Sequence, residues 1–134
     1  MSMLHGSCMC GTVQYEIRAL PLVMYYCHCA VCRSASGAGF ATNIAVATAD
    51  FTVTGGADAM SAYESSPGKL RHFCARCGSP IYSHGQSTSH YVSVRCGTLR
   101  DDPGIGASFH AFVGSKAPWV NITDGLPQFD GARP

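Results

Sequence analysis

The sequence is short of charge. Lys, Arg, Asp and Glu together make up 13% of its 134 residues, and the formal net charge is +1. A chain that tracks phosphates needs a dense basic stripe, so nucleic acid is not an expected partner. Pro67-Gly68-Lys69 lacks the leading glycine and the trailing Ser/Thr of a phosphate loop. No apolar run approaches the ~20 residues a membrane helix needs, which argues against a membrane partner. The opening Met-Ser-Met-Leu-His-Gly-Ser-Cys has neither a basic nor an apolar stretch, so no export signal and a cytoplasmic location are expected. Helical periodicity is missing too, for no long segment repeats its apolar positions at the 3.6-residue spacing.

Cysteine, by contrast, is plentiful. Eight residues of this type imply disulfides or metal. Without an oxidising compartment the thiols stay reduced, which favours metal. Cys8-x-Cys10 and Cys74-x-x-Cys77 each place two thiols on a turn, with Gly11 and Gly78 immediately after. Together they make a closed four-thiolate site for a structural zinc, a type of site that contributes ~10–16 kcal/mol of apparent binding energy in small motifs.

The central array is Cys27-x-Cys29-x-x-Cys32, which supplies three thiolates. Three protein ligands leave a tetrahedral zinc one open position, the mark of a catalytic site. Such an ion carries a net charge of −1 with its ligands, which suits it poorly to making hydroxide. It suits a soft thiol, held as the nucleophilic thiolate and able to add to a small aldehyde. Arg33 is a candidate to offset that charge or to hold a substrate carboxylate, and a solvated surface arginine is the plain alternative. In extended backbone His28 points away from Cys27 and Cys29, so it reads as a hydrogen-bonded core histidine. Two other allocations stay open: Cys96 as a fourth ligand of the second site, or the two C-x-C units joined with C-x-x-C left for redox work.

Strands are expected throughout. Val13, Tyr15 and Ile17 alternate with polar residues, and the Leu22–Tyr26 run ends on Cys27. Ser34 to Gly37 suggests a turn or one helical turn. Further strands are expected at 39–48, 51–54, around Tyr63, at 70–74, 81–82, 91–96 and 109–113, with His84 to His90 a polar loop. Cys96 falls on the face of Val92 and Val94, as a packed thiol would. The Gly- and Pro-rich segment 125–134 reads as a surface tail. One mainly β domain over residues 1–134 is the expectation.

Four motifs carry a family resemblance: Gly6-Ser7-Cys8-x-Cys10-Gly11, Cys27-His28-Cys29-x-x-Cys32-Arg33-x-x-x-Gly37, Arg71-x-Phe73-Cys74-x-x-Cys77-Gly78-Ser79 and Lys116-Ala117-Pro118-Trp119. In this order they resemble the glutathione-dependent formaldehyde-activating enzyme family, which includes the centromere protein V relatives. The resemblance implies a zinc-stapled β-tent fold of packed antiparallel sheets. It implies two zinc ions, a structural one on Cys8, Cys10, Cys74 and Cys77 and a catalytic one on Cys27, Cys29 and Cys32. The implied activity is that of a carbon–sulfur lyase interconverting glutathione plus formaldehyde with S-hydroxymethylglutathione, and a homodimer is allowed. Arg100 interrupts the family's usual Gly-x-Leu-Asp-Asp-Pro stretch, and Cys96 stands where a non-thiol is expected. The competing readings are a non-catalytic zinc-stabilised interaction module and a methionine sulfoxide reductase-like enzyme using Cys96. His28, His72 and Tyr63 are proton-transfer candidates by residue type alone.

Overall fold

A computed structural model describes residues 3–134. In chain order it contains β1 (Leu4–Ser7), β2 (Gln14–Ile17), β3 (Val23–Cys27), α1 (Ala30–Ser36), β4 (Ala41–Ala47), β5 (Phe51–Gly55), β6 (Met60–Ser66), β7 (Lys69–Cys74), β8 (Pro80–Gly85), β9 (Tyr91–Arg95) and β10 (Ala107–Ala111). The protein is mainly β, as its alternating patterns dictate. β1, β2 and β5 form a three-stranded antiparallel sheet. The other strands form a seven-stranded sheet in the order β10-β3-β4-β9-β8-β7-β6. All its neighbours are antiparallel except β10, which runs parallel to β3.

The core lies between the two sheets. Leu4, Tyr15 and Ile17 of the small sheet pack in one cluster with Met24, Ile44, Val46, Ile81, Val92 and Val94 of the large one. Burying each such side chain fully stabilises the fold by roughly 1.5–3 kcal/mol. Successive strand residues point to opposite faces. With Met24, Ile44, Val92 and Val94 committed to the core, Tyr25, Cys27, Asn43, Ser93 and Arg95 line a cavity on the far face.

Several local expectations shift. The single helical turn anticipated at 34–37 is a seven-residue helix that starts earlier, at Ala30. His84 lies inside β8 rather than in the following loop. The last strand ends at Ala111, because Phe112 adopts a left-handed backbone (φ 57°) that turns the chain away. The tail lies on the surface as expected, and it is fastened there. His110 N–H donates to Pro127 C=O (2.9 Å), Phe129 N–H to His110 C=O (3.0 Å) and Phe112 N–H to Gly131 C=O (2.9 Å). The inserted Arg100 also has a place, since its guanidinium donates to Ser7 C=O (2.9 Å) and its N–H to His5 C=O (2.8 Å).

Candidate metal and thiol site

The structure brings Cys8, Cys10, Cys74 and Cys77 together, all four sulfurs within 4.8 Å of one another. Sγ of Cys8 and Cys10 are 3.5 Å apart, and those of Cys10 and Cys74 are 3.9 Å apart. A tetrahedral zinc with bonds of about 2.3 Å needs sulfur–sulfur edges of about 3.8 Å, so the donor set and its spacing fit that ion. Tight turns present the thiols. Gly11 (φ 81°) and Gly78 (φ 82°) occupy the left-handed region directly after Cys10 and Cys77. Gly78 N–H closes its turn on Cys74 C=O (2.8 Å), and the Ser79 hydroxyl accepts from Met9 N–H (2.9 Å), tying one turn to the other.

Cys27, Cys29 and Cys32 form the second group, again within 4.8 Å. Cys27 comes from the end of β3, Cys29 caps α1 and Cys32 sits in its first turn. The Cys29 sulfur accepts from Cys32 N–H (3.2 Å), so the start of the helix holds two of the donors in register. Cys27 and Cys32 share a hydrogen bond that pushes the Cys27 thiol up, with burial adding to it, and lowers Cys32 to about 5. The Arg71 and Arg95 guanidiniums also favour the Cys32 thiolate. No fourth residue joins these three sulfurs as a metal-type donor among the described residues.

These thiols open into a cavity of about 610 Å³. Lys69, Arg71, Arg95 and Arg133 line it, and no Asp or Glu does. Among the described residues none of the four cations is paired with a carboxylate. Arg95 is only 6% exposed and donates to the Asn43 carbonyl, while Arg71 Nε donates to the Ser65 hydroxyl (2.9 Å). Four cations without acidic partners, one of them buried, make a pocket suited to anions. Tyr25 stacks on Phe109 (centroids 5.3 Å apart, planes 2° off parallel), and its hydroxyl lies 3.2 Å from that of Ser93. Burial pushes the Tyr25 phenol up, so it stays a donor.

The other candidates lie elsewhere. Arg33 is half-buried and does not line the cavity; its charge acts on His28, on the other side of the sheet. His28 is fully buried, as the alternation requires, and its Nε2 meets His110 Nδ1 at 2.8 Å. His110 Nε2 in turn reaches Asp124 Oδ2 at 2.8 Å. His72 stacks on Tyr82, and Tyr63 is 67% exposed, so neither faces the thiols. Cys96 begins a short turn after β9, packs against the core and lies outside the cavity. Burial raises its thiol to about 12, far from a reactive thiolate at neutral pH. Sequence reasoning missed Tyr25, Asn43, Lys69, Arg95 and Arg133, and had Arg71 only as a motif residue. One signal was present: Tyr91, Ser93 and Arg95 form a polar face opposite two valines, on a strand central enough to be covered on both sides.

Comparison with known proteins agrees with this arrangement. The family described as "Glutathione-dependent formaldehyde-activating enzyme" matches residues 3–115. A protein of Halomonas elongata, provisionally named a glutathione-dependent formaldehyde-activating enzyme, is 33% identical over 129 residues, covering 90% of this chain and 81% of the relative. A crystal structure of a Rhodobacter sphaeroides protein superposes with a TM-score of 0.64 at 24% identity, over 73% of this chain and 89% of the other. That last likeness speaks for the fold alone.

Proposed function

The chain belongs to the glutathione-dependent formaldehyde-activating enzyme family, and from that membership we propose that it joins a small thiol to a small aldehyde at the Cys27–Cys29–Cys32 site, with glutathione and formaldehyde as the pair. The supporting observation is the three-sulfur group opening into a large cavity lined by cations and by no acid. Cys27, Cys29 and Cys32 would hold a catalytic zinc, and Cys8, Cys10, Cys74 and Cys77 a structural one. When bound, the catalytic zinc supplies a soft Lewis-acid position that favours the thiolate form of a substrate sulfur.

The protein's own groups account for the rest. Arg71 and Arg95 offset the negative charge of the clustered sulfurs. Lys69, close to the same thiols, serves a carboxylate of the incoming peptide. The reaction forms one carbon–sulfur bond: the thiol loses its proton, sulfur adds to the aldehyde carbon and a proton returns to the oxygen, giving S-hydroxymethylglutathione. Negative charge develops on that oxygen. Tyr25, kept protonated by burial and backed by Ser93, is the hydrogen-bond donor the cavity offers it.

Exchange NMR with ¹³C-formaldehyde and glutathione tests the reading. Zinc-loaded protein is expected to speed exchange between free and glutathione-bound formaldehyde, and Cys29→Ser to lose at least ~100-fold of that acceleration. If the loaded wild type leaves exchange at the uncatalysed rate, the reading fails. If it also binds no glutathione by calorimetry, the interaction-module reading takes its place.

A further inference from the structure

The family-wide match ends at residue 115, yet the cavity does not. Ala132 and Arg133 form part of its wall together with the three thiols. Arg133 is held there in two ways. The backbone bonds from Phe129 and Gly131 lay the tail along β10, and the Phe129 ring packs edge-on against Phe109 (centroids 5.8 Å apart). The guanidinium carbon then sits 4.5 Å from the centroid of the Phe109 ring. That ring is also the one that stacks on Tyr25, so Arg133, Phe109 and Tyr25 form one continuous wall running into the cavity. A cation seated on an aromatic face keeps its edge nitrogens free, and no carboxylate of the described chain takes them.

We propose that Arg133 is a specificity-determining residue that binds a substrate carboxylate remote from the reacting sulfur, supplied by a tail outside the family-wide region. The proposal rests on the thiol–aldehyde reading above and names what that site selects: a thiol that carries a carboxylate. Lys69, Arg71 and Arg95 cluster by the thiols, where Arg71 and Arg95 act on the Cys32 charge. Arg133 sits instead over Phe109, on the part of the wall that the tail supplies, and is the cation placed for the far end of an extended ligand. A planar guanidinium suits a carboxylate through paired N–H donors. The residue is exposed and belongs to neither sulfur group, so replacing it leaves both groups in place.

Calorimetry on the zinc-loaded protein tests this, with two probes. Glutathione carries two carboxylates, whereas glutathione diethyl ester keeps the sulfur and the peptide but carries none. Arg133→Gln is expected to weaken glutathione binding roughly ten-fold, the loss of one charge-assisted contact. The same change is expected to alter ester binding by less than about two-fold, and Arg133→Lys to fall between wild type and Arg133→Gln for glutathione. Equal weakening for both probes, or none for either, overturns the proposal and leaves the thiol–aldehyde reading standing. Binding with the expected difference but without formaldehyde exchange sinks the reaction and supports the anchor. A wild type that binds no glutathione overturns both.

Discussion

Cys32 and Cys96 share one side chain but sit in opposite electrostatic settings. Cys32 accepts help from Cys27, Arg71 and Arg95 and is lowered to about 5, whereas Cys96 meets mainly burial and is raised to about 12. The contrast gives Cys96 a distinct pH signature. Its folded value lies above the ordinary 9.0, so its contribution to stability is complete below about pH 9 and is lost as pH rises toward 12. Thermal melts of Cys96→Ala should therefore fall less steeply across that alkaline window than those of wild type. Parallel curves would remove Cys96 as the source. Near neutral pH, iodoacetamide should leave Cys96 unmodified in the zinc-loaded protein, and Cys96→Ser should retain formaldehyde exchange. Loss of exchange in Cys96→Ser would revive the reductase-like reading.

At the level of elements, the function depends on where short turns stop. α1 is one cysteine cap and seven residues long, closed by Gly37 in the left-handed region (φ 67°) with its N–H on Arg33 C=O. A helix so short has little stability of its own, and in this site it is held by its sulfur contacts. The turn after Cys77 is more rigidly specified. A Cβ on Gly78 would meet nothing within 4 Å, so the cost of Gly78→Ala is that of the φ 82° backbone alone. That cost is about 1–2 kcal/mol, to be read from chemical denaturation of the zinc-loaded protein. Gly78→Asn should recover part of it, because asparagine tolerates this backbone better than alanine. An unchanged midpoint for Gly78→Ala would mean that the turn relaxes to another conformation.

For the molecule as a whole, the two sulfur groups differ in what they connect, and the proposed function gives them separable jobs. The first joins residues 64 positions apart, and through them the start of the small sheet to the end of β7 in the large one. Its metal would contribute ~10–16 kcal/mol, as much as the entire net stability of an ordinary domain. The second group lies within six residues of chain and staples only a local turn. Cys77→Ser should then unfold the protein or lower its melting temperature severely. Wild type should bind two zinc ions, one for each sulfur group, and Cys29→Ser should keep the fold, lose the proposed catalysis and bind one. Metal analysis paired with circular dichroism reads both. A Cys29→Ser protein that unfolds as readily as Cys77→Ser would show that both groups are structural.

How much of this was legible in the chain follows from how local each feature is. The cysteine spacings and the glycines behind them are properties of a few adjacent residues, so the division into four and three could be read directly. Alternation along the strands was equally local, and it placed His28 on the side away from the thiols and much of the mainly β fold with it. The cavity was not local. Its Tyr25, Asn43, Lys69, Arg71 and Arg95 come from four different strands and share a face only because the seven strands pair in one particular order and register. The tail shows this most plainly: its Gly and Pro content reads as a surface segment, and only the parallel pairing of β10 with β3 creates the edge on which it docks and carries Arg133 to the cavity. Sequence determined which atoms could hold metal, because neighbours along the chain stay neighbours in space. Tertiary structure decided what surrounds the metal, because that depends on contacts the chain makes only once it has folded.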